Sequence, residues 1–449
     1  MSVRLLLKTI FPAFACLLVS SATAATLVDP DPDVTITPKG YGSFEAGQIV
    51  SGYYKPPSQP NQRIAHIWQQ RAFGNIGFDV RYRDILTIDI AGEGMMAFST
   101  PQVGNLPTTL KPRQFFYIKS SNAALTLGDP EFLNGVLQAG MFQYKYNPDV
   151  RNLGEYMFRS NPYPLLIYSS FDYAMADLAG LRLNLNGFNK LFSNDLLFHS
   201  ELIAFPTQNW SLSDIAAVNL LGDGISIGAG FSLHHWFNVY QGQYMARAYD
   251  NYYYNESFIA ADSLMDDHRA VKVMGRIGLS PLQMLQHLRG GDPVPLFNRN
   301  DGHIYGEVDI LGTKNYPDRY ADIKDRMIYT FGFNVPGLFI IDLINIEFEY
   351  CANRSSFSDE FFYGNFPNWG EPQMGLDENG IDSLKRSPWC WSVYVKKSFL
   401  NEHLSLIAQF AKDHKKLDFY YFDKEYMSFR EPMVNKKEWW WVFKTEFKF

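Results

Sequence analysis

The 449-residue sequence predicts an all-β fold, a transmembrane antiparallel β-barrel of about sixteen strands. Three observations support this prediction: an export signal, a last segment in which polar and apolar residues alternate, and many aromatic residues without a long apolar run. Aromatic residues make up 16% of the chain, yet the mean hydropathy is only −0.19. After residue 25, no segment approaches the roughly 18 unbroken apolar residues of a membrane-spanning helix. Strands with one apolar and one polar face account for both values.

The N-terminal residues have the pattern of a secretory signal peptide. Arg4 and Lys8 give a positive start, and residues 10–19 form a short apolar core. Small residues up to Ala24 then provide a cleavage site. A retained membrane anchor is the alternative, but the apolar core is too short to span a bilayer comfortably. We therefore predict a cleaved signal peptide at residues 1–24.

The chain ends on a segment with a period of two residues. Between residues 438 and 449, one face is mainly aromatic and the other mainly charged. About twelve alternating residues are the length of one tilted membrane strand. A soluble strand that exposed the aromatic face would aggregate, so this face is best placed in lipid. A buried edge strand of a secreted β-sandwich is the alternative.

This ending resembles the C-terminal signature of bacterial outer-membrane proteins, a terminal phenylalanine preceded by apolar residues at alternate positions. The resemblance implies a location in the Gram-negative outer membrane, with lipid around the barrel. It also implies that the barrel-assembly machinery recognises an assembly signal in the last strand. The residues of this signal are Phe449, Phe447, Phe443 and Trp441.

Counting back from the C-terminus gives about sixteen alternating segments. They are 41–54, 68–82, 85–99, 113–128, 134–147, 179–188, 194–205, 211–221, 225–240, 269–279, 302–312, 326–335, 343–354, 387–397, 404–421 and 438–449. An even number places both termini in the periplasm. Residues 25–40, rich in proline and aspartate, are then a flexible periplasmic lead-in, and residues 41–449 form the barrel.

The connections between these segments alternate between short and long, as do the periplasmic turns and outer loops of such barrels. Two connections break the alternation, 280–301 and 336–343. We expect both to lie at the membrane interface, and residues 281–288 to form one or two helical turns.

The predicted architecture resembles that of the general diffusion porins over the whole mature chain. In that family, the long loop after the fifth strand folds into the lumen as a constriction, and the corresponding loop here is 148–178. The resemblance implies a passive channel for small hydrophilic solutes. The acidic turn motif of the porin loop is absent, so neither ion selectivity nor the trimeric state carries over. A homo-oligomer therefore stays an open possibility.

Charged residues on the inward faces are the candidate constriction residues. Glu155 and Arg159 lie at the middle of loop 148–178. The candidates that alternation places on the inner faces of strands are Arg81, Arg182, Lys272, Arg276 and Glu307. Rings of such charges set pore selectivity, and because both signs are present we expect no strong ion preference. The alternative is that paired charges simply fill the barrel interior.

The two cysteines of the mature chain lie on consecutive predicted strands. Alternation places Cys351 and Cys390 on the lumen face, both at the outer end of their strands. We therefore predict that the two residues stand directly opposite each other and form a disulfide in the oxidising periplasm. A register slip of two residues would separate the two thiols beyond disulfide reach.

Other function classes have less support in the sequence. The net charge is −7 and no basic stripe suggests nucleic acid. No phosphate loop or metal-protease motif appears, and no nucleophile has an identifiable partner, so we predict no enzyme, cofactor or metal. Adjacent His234 and His235 would point to opposite faces of a strand and could not bind one ion. The main rival is a structural or adhesive barrel, in which aromatic segments 249–254 and 357–369 bind a glycan or a protein.

Overall fold

The computed structural model describes fourteen ranges of the chain. They are residues 33–51, 68–100, 113–129, 132–160, 174–188, 191–201, 209–238, 270–291, 294, 297–313, 322–338, 340–352, 388–412 and 439–449. The predicted signal peptide, most of the predicted long loops and both aromatic segments of the adhesive alternative lie outside these ranges.

The described part of the chain contains sixteen strands and three short helical segments. The strands are β1 (Val34–Ser51), β2 (Trp68–Tyr82), β3 (Leu86–Thr100), β4 (Arg113–Asp129), β5 (Leu133–Tyr144), β6 (Ala176–Gly187), β7 (Phe192–Glu201), β8 (Asn209–Leu220), β9 (Ile225–Asn238), β10 (Ala270–Leu279), β11 (Ile304–Ile310), β12 (Met327–Val335), β13 (Leu343–Cys351), β14 (Trp389–Phe399), β15 (Leu404–Lys412) and β16 (Trp439–Lys448). The helical segments are α1 (Tyr156–Arg159), α2 (Pro281–Leu288) and a 3₁₀ turn (Ile323–Arg326).

The strands form one closed antiparallel barrel. Each strand pairs with its neighbours in the sequence, and β1 pairs with β16 to close the sheet. Every segment predicted from alternation overlaps one observed strand, so the sixteen-strand prediction is confirmed. Closure leaves no free sheet edge along the paired lengths, which is the condition for strands to stand in lipid.

The first strand begins earlier than the sequence predicted. Residues 34–40 belong to β1 and pair with β2, with Val34 opposite Tyr82. The boundary of the predicted lead-in at residue 40 is therefore wrong for its last seven residues. Proline in this stretch favoured a flexible segment, but Pro38 lies where β1 extends beyond its pairing with β16, at a position where proline is tolerated.

The barrel is apolar outside and polar inside. Outward positions carry exposed large apolar side chains, including Ile76, Phe78, Ile90, Phe116, Ile118, Leu181, Phe231, Ile277, Phe331, Phe348 and Phe443. Inward positions carry buried charged groups, including Arg71, Glu93, Lys272, Glu307, Glu347 and Lys444. This is the distribution that a lipid exterior and an aqueous or polar interior require. No helix among the described residues is long and apolar enough to cross a membrane.

One end of the barrel carries short turns, as predicted. The turn between β8 and β9 uses left-handed backbone at Leu221, Gly222 and Asp223. Helix α2 follows β10 at the same end and packs over this turn, where a Cβ at Gly224 would meet the Met284 side chain. The helix predicted at residues 281–288 is confirmed, with Pro281 at its first turn.

Candidate functional site

Residues 145–160, which follow β5, fold into the barrel and are called the inserted segment here. Most of their side chains are buried, and Val150, Asn152, Leu153, Glu155 and Tyr156 are 0% exposed. The segment leaves the wall at β5 and reaches strands β10, β11 and β13. It therefore occupies part of the lumen, at the place in the chain where the sequence predicted an inward-folding loop.

The carboxylate of Glu347 on β13 fixes the first half of the inserted segment. It accepts hydrogen bonds from the backbone N–H groups of Arg151 at 2.5 Å, Asn152 at 2.9 Å and Leu153 at 3.1 Å. The Tyr305 hydroxyl donates to the same carboxylate at 2.8 Å. Several N–H donors around one carboxylate satisfy its charge without a cation, so a buried glutamate is tolerated here.

The carboxylate of Glu307 on β11 fixes the middle of the segment. It accepts from the Tyr146 hydroxyl at 2.8 Å, from the Asn147 amide at 2.5 Å and from the backbone N–H of Glu155 at 2.8 Å. Glu155 has left-handed backbone, with φ at 64°, and it is the N-cap residue directly before helix α1. The Glu307 carboxylate thus also holds the turn from which α1 starts.

The end of α1 is held by a lysine. The ammonium of Lys272 on β10 donates to the carbonyl of Met157 at 3.0 Å and also to the carbonyl of Ser160. Carbonyl groups at a helix end lack partners within the helix, so a cation placed there satisfies them. Lys272 therefore fastens the inserted segment to the wall rather than offering a charge to the lumen.

Apolar packing completes the contact with the wall. The Phe158 ring packs edge-on against Tyr144 at 5.3 Å and against His199 at 4.9 Å between ring centroids. It belongs to a buried cluster with Met157, Leu178, Leu197 and other side chains. Burial of this cluster opposes release of the segment into water.

The two residues predicted to form the constriction lie inside the segment. Glu155 is 0% and Arg159 is 1% exposed, so neither faces an open aqueous surface. Arg159 donates to the backbone carbonyls of Asn152 and Gly154, which stabilises the fold of the segment itself. Burial, together with the nearby Glu307 carboxylate, raises the pKa of Glu155. Both residues lie within the inserted segment, where Arg159 supports the backbone of the segment, and their role as constriction charges stays a prediction.

The remaining candidates lie at different distances from the segment. Lys272 and Glu307 contact it, as described above, and Arg276 stands opposite Glu307 in the β10–β11 register. Arg182 donates to Asp195 at 2.7 Å, and its guanidinium lies 5.2 Å from the Tyr144 ring centroid. Arg81 is exposed near the turn between β2 and β3, apart from the others. Of the seven candidates, two lie within the inserted segment and two contact it from the barrel wall.

Several residues that hold the segment were not among the sequence candidates, Glu347 and two residues of the segment itself among them. Tyr146 and Asn147 both donate to Glu307, and neither was a candidate. The signal for Tyr146 was present, because Phe142 and Tyr144 are buried on the inner face and the same period of two reaches residue 146. The contact with Glu307 was not predictable, since it joins residues 161 positions apart.

The other side of the lumen contains a cavity of about 550 Å³. Its walls come from β1 to β5 and from β16, the half of the barrel that the inserted segment leaves free. Its charged lining residues are Lys39, Lys119, Lys448, Asp89, Glu93 and Glu446. Lys39 bridges Asp79 at 2.9 Å and Asp89 at 2.6 Å, so the two signs are interleaved on this wall.

The expected disulfide is not formed. The β13–β14 register sets Glu349, not Cys351, opposite Cys390. Within the described ranges, both cysteines are buried thiols rather than a disulfide. The predicted register was wrong by two residues, a shift that keeps both thiols on the lumen face but moves them to diagonal positions.

The comparisons with known proteins give only distant structural matches. No protein-family model and no curated protein matches the chain. A mutant of the Rh. blastica porin matches with a TM-score of 0.43 and 9% identity, over 92% of this chain and 100% of the porin. Pseudomonas putida OprB matches with a TM-score of 0.46 and 10% identity, over 93% of this chain and 95% of OprB. For Pseudomonas aeruginosa OccK5, the values are 0.38 and 8%, over 93% and 98%.

Proposed function

We propose that the protein is a porin-like channel of the outer membrane, through which small hydrophilic solutes diffuse passively. One observation carries the proposal: a closed barrel of sixteen strands keeps a cavity of about 550 Å³ beside the inserted segment. Barrels of about 16 to 18 strands are wide enough to leave an aqueous channel. Among the described residues, the inserted segment narrows this width from one side.

The lining of the cavity indicates the class of solute. Lysines and carboxylates alternate along it, together with amides such as Asn75, Asn122 and Gln138. Such a wall offers hydrogen bonds to hydrophilic molecules and to hydrated ions of either sign. An equal number of positive and negative groups favours weak ion selectivity.

Conductance across a planar lipid bilayer tests the proposal directly. Purified protein should give stable single-channel steps in potassium chloride, and vesicles that contain it should swell in small sugars but not in large polymers. A folded barrel that gives no steps and no swelling would contradict a channel. Folding is checked in the same sample by the heat-dependent shift of the band in gel electrophoresis.

The partners follow from the same proposal. Outer-membrane lipid would cover the apolar outer belt, and the barrel-assembly machinery would recognise the last strand, where Phe443 and Phe447 point outward. Export would follow cleavage of the signal peptide at residues 1–24. Self-association in the membrane is compatible with the broad apolar exterior, and we assign no number of subunits.

The alternatives have weaker support. An adhesive barrel would use aromatic segments 249–254 and 357–369, which lie outside the described residues, and the cavity plays no part in that function. An enzyme would need a nucleophile with a base in an accessible cleft. A cavity lined by interleaved ion pairs fits diffusion better than catalysis, so we propose a channel and not an enzyme.

A further inference from the structure

A cluster of four buried polar side chains lies in the barrel wall, outside the cavity. His199 and Glu201 come from β7, and His234 and His235 come from β9. Their exposed fractions lie between 0% and 5%. None of the four belongs to the cavity lining or to the groups that hydrogen-bond the inserted segment, so the proposed channel does not account for them.

A β-bulge brings the two adjacent histidines to the same side of the strand. Trp210 pairs with Phe237 and Leu212 pairs with Leu233, so three residues of β9 stand opposite Ser211 alone. His235 adopts left-handed backbone, with φ at 56°, and its N–H donates to the Ser211 hydroxyl at 3.0 Å. A bulge can redirect a side chain in this way. The expectation from alternation, that His234 and His235 point to opposite faces, is therefore wrong.

Two imidazoles and one carboxylate of this cluster lie close together. The rings of His234 and His235 stack with 3.6 Å between centroids. His235 Nε2 lies 3.3 Å from one oxygen of Glu201, and His234 Nδ1 lies 3.8 Å from the other. One ligand atom from each of the three residues lies within 4.8 Å of the others.

We propose that Glu201, His234 and His235 bind one divalent transition-metal ion, of which Zn²⁺ is the best fit. Two imidazoles and a carboxylate form a common three-ligand set for zinc and leave one position for water. Ligand atoms around a tetrahedral zinc ion are about 3.3 Å apart, given bonds of about 2.0–2.1 Å. The separation between Glu201 and His235 matches that value and the separation between Glu201 and His234 is longer, at 3.8 Å, so binding requires the stacked imidazoles to tilt until both nitrogens point at the ion. Ca²⁺ and Mg²⁺ prefer oxygen ligands and are disfavoured here.

His199 positions the carboxylate. Its Nδ1 lies 3.4 Å from Glu201, and its Nε2 lies 2.9 Å from the Ser213 hydroxyl. Ser213 in turn donates to Ser232 at 2.8 Å, which extends the polar chain across β7, β8 and β9. Groups that hold metal ligands in this manner contribute to affinity without touching the ion.

The ion would join β7 to β9 behind the inserted segment. The Phe158 ring of that segment lies 4.9 Å from the His199 ring, so the site supports the wall against which the segment packs. Metal binding would therefore stabilise the barrel at this place. This role does not depend on whether the barrel conducts solutes.

Metal content of the full mature protein tests the proposal, with protein purified without a histidine tag. The folded protein is stripped with a chelator, given one equivalent of Zn²⁺, dialysed and analysed by mass spectrometry for metal. We expect one ion per barrel, and the intense visible absorption of four-coordinate Co²⁺ when cobalt replaces zinc. Glu201→Gln, His234→Gln and His235→Gln should each lower the affinity on the order of 100-fold or more, and His199→Gln by about 10–100-fold.

The matched control is His303→Gln. His303 also faces a lumen carboxylate, with its Nε2 3.0 Å from Asp149, but it lies outside the cluster. This variant should keep the wild-type affinity for Zn²⁺. Absence of bound metal in the folded wild-type protein would overturn the proposal even if the cluster variants fail to fold. Loss of binding in His303→Gln, or unchanged affinity in folded His234→Gln and His235→Gln, would overturn it as well.

Discussion

Two buried glutamates determine where the inserted segment rests. Glu307 and Glu347 accept mainly N–H donors of the segment, together with the hydroxyls of Tyr146 and Tyr305. Each carboxylate would be unstable in the wall without these donors, and each donor would be unsatisfied without the carboxylate. The position of the inserted segment and the stability of the two buried glutamates in the wall therefore depend on the same hydrogen bonds.

Replacing Glu347 with glutamine should loosen the inserted segment. The glutamine NH₂ group donates and cannot accept, so some of the three backbone N–H groups that Glu347 binds would lose their acceptor. We expect the docking of the segment to weaken by about 1–3 kcal/mol. Single-channel recordings should show higher conductance or more open-state noise than the wild type.

The control for this variant is Glu93→Gln, with open-state noise as the measurement. Glu93 also faces the lumen, but its contacts are with Tyr117 and Lys119 on β4 and not with the inserted segment. Because Glu93 lines the cavity, its variant can change the conductance, but its open-state noise should match that of the wild type. Equal noise from Glu347→Gln and Glu93→Gln would mean that Glu347 does not hold the segment in the pore.

Replacing Lys119 with glutamine should shift ion selectivity toward cations. Three lysines and three carboxylates line the cavity, so removal of one positive charge leaves a net negative wall. The reversal potential under a potassium chloride gradient measures the shift. Lys324→Gln, which removes an exposed lysine that pairs with Asp322, should leave the potential unchanged. A shift in the control alone, or in neither variant, would contradict this assignment of the cavity as the conduction path.

At the scale of the element, the last strand is fixed to the first by its final residue. The backbone of Phe449 exchanges hydrogen bonds with Gly40 at 3.0 Å and 3.1 Å, and its ring covers that glycine. A Cβ at Gly40 would lie 2.0 Å from the Phe449 ring. The ring and the glycine are therefore complementary at the seam of the barrel.

Replacing Gly40 with alanine should displace the Phe449 ring and lower the yield of closed barrel. The heat-modifiable fraction in gel electrophoresis measures that yield. Gly74→Ala is the matched control, because a Cβ at Gly74 meets nothing within 4 Å. If both variants assemble like the wild type, the packing of Phe449 against Gly40 is not needed for closure.

The strands could be predicted from the sequence, but their registers could not. Alternation identifies a strand because side chains of opposite character point to opposite faces. A slip of two residues preserves every face, so the pattern around Cys351 and Cys390 fits two registers equally well. The start of β1 was missed because Pro38 weakened the local signal. The bulge at His235 was missed because alternation assumes a regular strand.

The candidate site was predictable only in outline. The place of the inserted segment in the chain followed from the resemblance to porins, and the inward faces of Lys272 and Glu307 followed from alternation. Their roles did not, because they depend on contacts between residues more than 100 positions apart. Charge alone suggested groups that face water, whereas Glu155 and Arg159 are buried.

At the scale of the whole molecule, the stability of the barrel in a bilayer depends on an apolar outer belt. Phe331, at the middle of β12, is 48% exposed on the isolated barrel, and we expect it to face lipid. Phe331→Arg should reduce the free energy of unfolding by about 2–4 kcal/mol, because this is the range for a charge near the bilayer midplane. Urea unfolding of the protein in lipid vesicles measures the change.

The control uses the fact that the cost of an arginine depends on its depth in the bilayer. Phe399 lies at the end of β14 and is 42% exposed, so an arginine there reaches the interface. Phe399→Arg should reduce the free energy of unfolding by only about 0–1 kcal/mol. Equal losses at the two positions would indicate that the belt does not face a bilayer core.

The seam between the first and last strands is also a wall of the cavity. Tyr41 stands opposite Lys448 and Ser43 opposite Glu446, and three of these four residues line the open side of the lumen. A slip of two residues at this seam would move Lys448 and Glu446 along the cavity as well as change how the sheet closes. The sequences of β1 and β16 therefore cannot change without an effect on the solutes that pass through the cavity. Any sequence change tolerated at this joint must satisfy the requirements of assembly and of permeation at once.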